Sequence, residues 1–506
     1  MTTWYLLLLA IGLVSVEHLA FGRFGVNLAD EGYLWYGALR TAEGLVPMED
    51  FRSYDPGRYY WCAPWVRLFG PGLGVVRVAA SAFLAAGIWA ALLVASRATD
   101  EPVELALIGL GLVLWSHPRW KRFEHALSLI GALSVLWILE HPTTGWLFAA
   151  GVVAGAAAYF GRNHALYVVL AHIGAIAYSW LWLDDLDRIA PVGAWVAGGV
   201  VGYAPMWTRW VFKAGSFRFY VQEKVLVFAR RRGTNFGVPI PWPWKFRPAG
   251  RPTALAAADL LHRVLLVAAP VFLVGIIVWA AVDSTSGPAP WLLAASAVGM
   301  LYLHQALGRA DLSHLCQGLP PAWLALGALI SRLDLGVASV LCWVGYLAVI
   351  VATVVPISPL GARFVLRTRH ERQVIGGREF RVTRRVASVI RGVERSVDDR
   401  LAADEPVFIA PFAPGLYSVL GRRAPVHNTY MLFPERDEKQ DEIVAGLRRN
   451  RVAMAVIQRE PGRFGHERSF EQTHPIVWRF ISETMRELDG RDLPSGWVAF
   501  EAVDRA

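Results

Sequence analysis

Long apolar runs separated by short polar breaks dominate the chain as far as Pro356. Runs long enough, or nearly long enough, to cross a bilayer fall at 4–22, 73–96, 103–116, 125–141, 144–160, 165–183, 189–209, 263–283, 289–305, 319–332 and 336–356. A span needs about 20 apolar residues, so 103–116 and 319–332 are the short members, and the pattern predicts about eleven spans. Two further pieces, 29–44 and 57–70, are amphipathic. The second carries Pro64 and Arg67 in a stretch too short to cross, so both are read as helices lying along the interface. No tandem repeat is evident.

Beyond Pro356 the pattern changes. Residues 360–506 are rich in charge and hold no spanning run. Strand-like VFIA (407–410) leads through a turn to the helix-like GLYSVL (415–420). An amphipathic stretch over 440–450 leads into strand-like VAMAVIQ (452–458), and a helix carrying Trp478, Phe480 and Ile481 follows. Alternating helix and strand patterns predict a small layered α/β domain. The fold class is therefore a polytopic α-helical membrane protein with interfacial helices in its first outer loop and a small C-terminal α/β soluble domain. The predicted domains are a transmembrane part, 1–358, and an extracytoplasmic part, 359–506.

Composition agrees with that class. The 506 residues are 55% hydrophobic and only 18% charged, with 22 Trp; soluble domains carry about 25% charge. Three cysteines, Cys62, Cys316 and Cys342, have no metal-type spacing and read as packing residues. The N-terminal run lacks a basic region before it, which favours an uncleaved first span over a removed signal peptide. The formal net charge of +9 points to anionic headgroups, to phosphate-bearing ligands or to orientation signals.

With a cytoplasmic N-terminus, the outer loops are Asn27–Gly70, His117–His125, Arg162–His164, Phe212–His262 and His304–Leu319. Basic residues concentrate in these loops, notably Arg230, Arg231 and Arg232. The positive-inside rule does not support that orientation. Either the orientation is inverted or the charges serve a ligand, and the second reading is preferred.

Candidate chemistry lies in the same loops. Asp30 and Glu31 follow the first span; a carboxylate there can serve as general base toward an acceptor hydroxyl, or simply suit a helix N-terminus. In His117–His125, Arg119, Lys121 and Arg122 can clamp a phosphate and Glu124 supplies a second acid; a plain positive loop is the alternative. Arg162 and His164 sit at a tight polar tip that also fits an ordinary hairpin turn. His304, Arg309, Asp311 and His314 form a further cluster whose spacing is no zinc signature. The PIPWPWKF stretch, with Trp242 and Trp244, suits the headgroup level, with or without a lipid ligand.

The stretch from Asp30 to Arg77 resembles the GT-C superfamily of integral-membrane glycosyltransferases, nearest the protein O-mannosyltransferases and the lipid A aminoarabinose transferases. The matching residues are Asp30, Glu31, Gly44, Pro47, Asp50, Phe51, Pro56, Gly57, Tyr59, Leu68, Phe69, Gly70 and Arg77. The resemblance implies transfer of a sugar from a polyprenyl-phosphate carrier to an acceptor on the outer face, with inversion at the anomeric carbon. It places the catalytic base on Asp30, beside Glu31, and a second acid on Glu124. It gives the carrier phosphate to Arg119, Lys121 or Arg122, with Arg58 and Arg162 as further candidates. The chain departs from the family in having Asp55-Pro56-Gly57 where Pro-Pro or Lys-Pro-Pro is common, Glu124 where Asp is commoner, and no DxD in the second loop.

The sequence reading is thus a polyprenyl-phosphate-sugar-dependent glycosyltransferase, hexosyl- or pentosyl-transferring, of the inner (plasma) membrane. Its substrate-binding candidates are Arg58, Arg119, Lys121, Arg122, Arg162, His164, Arg309, Asp311 and His314. Expected partners are membrane lipid, the lipid-linked sugar donor and a glycan, lipid or protein acceptor, with no nucleic acid. No cofactor is implied; a divalent metal is compatible but not indicated. The alternative is a transporter or flippase for a lipid-linked anion, which would place charges within spans and often show inverted repeats.

Overall fold

A computed structural model describes residues 2–183, 190–213, 215–226, 237–248, 250–282, 287–333, 336–459, 469–489 and 493–503. The Arg230–Arg232 run lies outside the described residues. The chain packs as two compact units. One comprises Met1–Gly22 and Arg77–Arg367; the other comprises Arg23–Val76 and Thr368–Ala506. The pattern of apolar runs assigns residues 23–76 to the membrane part, but they pack with the C-terminal segment. The physical reason is that this stretch carries no span of its own and buries its aromatic residues against the tail.

The first unit is helical. Among the described residues, seven helices are long and apolar enough to cross a membrane: Thr3–Phe21, Leu73–Ala95, Arg119–Glu140, Arg162–Leu181, Thr253–Val282, Pro290–Gly308 and Val337–Val354. The protein is thus a multi-pass membrane protein by the length and composition of its helices. The expectation of about eleven spans is not met by that measure. The runs 103–116, 144–160 and 319–332 form helices of 14, 17 and 13 residues. The run 189–209 is divided into Ala190–Gly202 and Ala204–Phe212, where Pro205 opens the second piece. Proline is tolerated in the first turn of a helix, where its missing N–H is not needed.

Arg122–Glu140 is the central helix, buried along nearly its whole length. It packs against Thr144–Phe160, Arg162–Tyr178, Pro290–Gly308 and Pro320–Arg332. Thr144–Phe160 and Ala190–Gly202 approach so closely that their backbones touch. A Cβ on Gly151 would lie 2.1 Å from the Trp195 carbonyl oxygen, and one on Gly155 would lie 2.2 Å from that of Gly199. Small residues permit such approach, and between apolar helices close packing is the main attraction.

The second unit is α/β. Strands β1 (His370–Ile375) and β2 (Arg378–Thr383) form a hairpin over Gly376 and Gly377, both at positive φ. Strands β3 (Val407–Ala410), β4 (Met454–Gln458), β5 (Met485–Glu487) and β6 (Trp497–Ala502) form a sheet in the order β3-β4-β6-β5. The β3–β4 pair is parallel and the others are antiparallel. The helices Asp437–Arg449 and Pro475–Thr484 cover it, burying Ile443, Leu447, Val477 and Ile481 with Phe408, Ile457 and Phe500.

Asp30–Ala42 and Gly57–Phe69 are helical, within a residue or two of the predicted bounds. Glu31 through Thr41 are all buried, however. A helix lying on a bilayer would keep a continuous face in water. Instead this helix packs on Gly57–Phe69 and on Gly415–Val419 of the tail.

Candidate active site

Asn27 organises the start of the first-loop helix. Its side-chain oxygen accepts from the backbone N–H of Ala29 and of Asp30, both at 2.9 Å. Its own N–H donates to Glu31 Oε2 at 3.2 Å. This is a reciprocal cap, satisfying backbone donors that the first turn leaves open. The two acids therefore differ. Glu31 is buried and engaged with the backbone, whereas Asp30 is half-buried.

One turn on, Tyr33 packs edge-on against Tyr54 (ring centroids 5.0 Å) and Phe412 of the tail (5.8 Å), and at a tilt against Tyr430 (5.6 Å). Residues three apart share a helix face, so Asp30 and this aromatic group lie on the same side. Arg58, also buried, stacks over the Tyr54 ring at 5.1 Å, and Arg52 over Tyr430 at 5.6 Å. Arg52 is held from its other side by Glu435, 2.9 Å away. Burial pushes the Tyr54 phenol well above its ordinary value, and the nearby Tyr430, Asp30, Tyr33 and Tyr59 push it further. These hydroxyls are thus neutral groups able to donate hydrogen bonds next to the Asp30 carboxylate.

Glu124, Arg119, Lys121 and Arg122 belong to the helical unit. Arg119–Lys121 form a single tight turn, and Arg122 opens the central helix. Lys121 Nζ lies 3.8 Å from Glu124 Oε1. Arg119 Nη1 donates to the Phe21 carbonyl at 2.8 Å. Arg122 donates to Glu17 and to Ser81, and it is 1% exposed. His117, at the head of the segment, is buried. Burial lowers its pKa to about 3; Arg119, Arg122 and His125 act in the same direction and Glu17 against it.

Arg162 stacks over Tyr220 at 5.6 Å. The His164 ring stacks on Tyr302, with Nδ1 3.2 Å from the hydroxyl. Tyr167 in turn meets His304 Nδ1 at 2.9 Å. Arg309 Nε donates to Asp311 Oδ2 at 2.7 Å, while Asp311 Oδ1 lies 2.8 Å from His314 Nδ1 and caps the next helix through the His314 N–H. Burial would raise the Asp311 pKa, but the hydrogen bond from His314 and the charges of His314 and Arg309 outweigh it and hold the carboxyl well below its usual range. Among the described residues, no three His, Cys, Asp or Glu side chains come together to hold a metal ion.

The candidates thus form separate groups: Asp30, Glu31 and Arg58 in the first-loop unit; Glu124 with Arg119, Lys121 and Arg122; Arg162 and His164, each on its own ring; and Arg309, Asp311 and His314. Sequence reasoning passed over Arg52, Tyr430 and Glu435, for which spacing offers no signal. It also passed over Glu17, whose signal was visible as a carboxylate within the first apolar run.

No protein-family model matches the sequence, and no curated protein matches it. Among solved structures, the chain is similar to ArnT from Cupriavidus metallidurans in the apo state, with 14% identity over 94% of each chain and a TM-score of 0.46. It is also similar to the Archaeoglobus fulgidus oligosaccharyltransferase in its apo form, with 10% identity over 98% of this chain and 76% of that one and a TM-score of 0.48. A third is the same organism's oligosaccharyltransferase AglB in complex with an inhibitory peptide and a dolichol-phosphate (10% identity, 99% and 74% covered, TM-score 0.49).

Proposed function

We propose that this protein is a membrane glycosyltransferase that moves a sugar from a polyprenyl-phosphate carrier to an acceptor on the extracytoplasmic face, where its C-terminal segment also lies. The acceptor hydroxyl gives its proton to the Asp30 carboxylate as its oxygen bonds to the anomeric carbon. The bond from that carbon to the phosphate oxygen breaks, and its electron pair leaves with the carrier phosphate. Attack opposite the leaving group inverts the carbon. Lys121, Arg119 and Arg58 are assigned to the phosphate charge, and Glu124 is the second acid. The phosphate is already a good leaving group, so positioning carries much of the rate. His164, Arg162 and the Arg309–Asp311–His314 group remain candidates for binding the rest of the donor.

The observation that carries this reading is the division of labour between the two acids. Glu31 accepts the Asn27 N–H, while Asp30 stands beside Tyr54, one turn from Tyr33.

The test uses purified full-length protein in lipid nanodiscs, radiolabelled polyprenyl-phosphate sugars and a cell-envelope extract as acceptor. Wild type should move label to the extract, and Asp30→Asn should lower the rate by about 100- to 10,000-fold, the range of a lost general base. Equal transfer by both would remove Asp30 from the role. Absence of transfer from every donor would refute the enzymatic reading.

A further inference from the structure

The helix Thr3–Phe21 buries only Leu6, Ala10, Val14 and Glu17. These four form one stripe at helical spacing, so a carboxylate occupies an inward position in a span. Glu17 Oε2 accepts from Arg122 Nη2, and Arg122 Nη1 donates to Ser81 Oγ. Ser81 Oγ donates to the Arg77 carbonyl at 2.7 Å and lies 3.0 Å from His18 Nδ1. Around this pair, the end of the first helix is held by two more guanidinium groups. Arg77 donates to the Gly22 carbonyl at 2.7 Å, and Arg119 donates to that of Phe21 at 2.8 Å.

Such a pair is not the cheapest way to fill the space. Two buried charges lose their hydration, and apolar side chains of similar volume are often neutral or stabilising in their place. An ionisable residue within a span therefore calls for a task and a named partner. Here the partner is informative. Arg122 is the first residue of the central helix, directly after Lys121 and two residues before Glu124. Its guanidinium is tied to the first helix through Glu17 and to Leu73–Ala95 through Ser81. Arg119, at the other end of the same short turn, is tied to the first helix as well. The segment is thus anchored at both ends by donors whose acceptors are fixed.

We infer that Glu17 is a positioning residue: through Arg122 it holds the segment 117–124 in the one orientation in which Lys121 and Glu124 can act. This rests on the glycosyltransferase reading given above. Glu17 itself is assigned no contact with substrate.

Glu17→Gln alone cannot decide, because it strands the buried guanidinium and lowers stability under either account. The deciding variant is Glu17→Met combined with Arg122→Met, which removes both charges at similar volume. It is compared with wild type in nanodiscs by thermal melting, by transfer kinetics and by hydrogen exchange of the 117–124 amides. If the pair only stabilises, melting temperature, kcat and exchange all return to wild type, and the inference is overturned. If it positions, melting temperature returns but kcat stays down by about tenfold or more, as a misplaced group requires. Exchange at 117–124 rises at the same time. Should the double variant fail to fold, Glu17→Asp keeps the charge and shortens its reach. Faster exchange at 117–124 in that variant supports anchoring by length, and unchanged exchange overturns it. Wild type that transfers no sugar would instead sink the enzymatic reading and, with it, this role. Unchanged exchange and full kcat in the double variant would sink the positioning role alone.

Discussion

Gly32, the third residue of the first-loop helix, is where local propensity and tertiary geometry make opposite predictions. In isolation, Gly32→Ala should stabilise the helix by about 1 kcal/mol. In this fold a Cβ at position 32 would lie 2.5 Å from the Gly415 nitrogen and 2.6 Å from its Cα, where ordinary contact is 3.4–4 Å. Both obstacles are backbone atoms, so no rotamer relieves the clash. The Gly415 turn would have to withdraw by about 1 Å, and overpacking of this kind costs about 1–3 kcal/mol. Withdrawal also stretches the bond from the Gly415 N–H to the Leu28 carbonyl, now 2.9 Å, which is worth about 1 kcal/mol. The loss outweighs the gain, leaving a net destabilisation of about 1–3 kcal/mol. The assay is thermal melting of the full-length protein in nanodiscs, with limited proteolysis reporting release of the tail. A domain of 150–250 residues loses about 2–4 °C per kcal/mol, so the melting temperature should fall by several degrees and cleavage within 411–435 should quicken. A variant that melts at or above the wild-type temperature would show that propensity wins, and would refute the close approach of these two backbones.

Glu31→Gln should weaken the reciprocal cap by about 0.5–2 kcal/mol, read by melting, while transfer stays within about tenfold of wild type; a loss as deep as that of Asp30→Asn would merge the roles separated here. His117 has a folded pKa lowered to about 3 from 6.5. Between those values the unfolded chain binds the extra proton, so stability is full above about pH 6.5 and falls as pH drops, by about 1.4 kcal/mol per pH unit for this group. His117→Gln should remove that share of the slope between pH 6.5 and 4.5, and an unchanged slope would count against burial of the neutral ring. Gly155→Leu should separate Thr144–Phe160 from Ala190–Gly202, where even a Cβ would meet the Gly199 oxygen at 2.2 Å; a loss of about 2 kcal/mol or more is expected by melting, and tolerance would refute the contact.

What was legible in the sequence follows from short-range physics. Apolar runs predicted helices because helical hydrogen bonds and apolar surface are the conditions for crossing a bilayer, and in their described residues those runs are largely helical. The strands at 407–410 and 454–458 were legible from β-branched and apolar residues bounded by turn residues. The polar breaks named the candidate chemistry, with Asp30, Glu31, Glu124 and the basic residues around them all visible. Span length was less legible, because the runs 103–116, 189–209 and 319–332 are apolar enough but end or break early.

By itself, then, the sequence determined which segments are helices or strands, that the chain belongs in a membrane, and which loops carry acids and cations. Only the tertiary structure decided how those groups are used. Arg122 read as a phosphate clamp but is paired with Glu17, 105 residues away. Arg52 carried no signal in the sequence, yet it stacks on Tyr430 and pairs with Glu435, 383 residues away. Asp30 and Glu31 are adjacent and alike in sequence, yet Glu31 accepts the Asn27 N–H and Asp30 stands beside an aromatic group completed by the tail. Periodicity and spacing record interactions within a few turns of chain. Partners separated by hundreds of residues leave no such pattern, and they are set only when packing brings distant segments together and burial makes an unpaired charge too costly to leave.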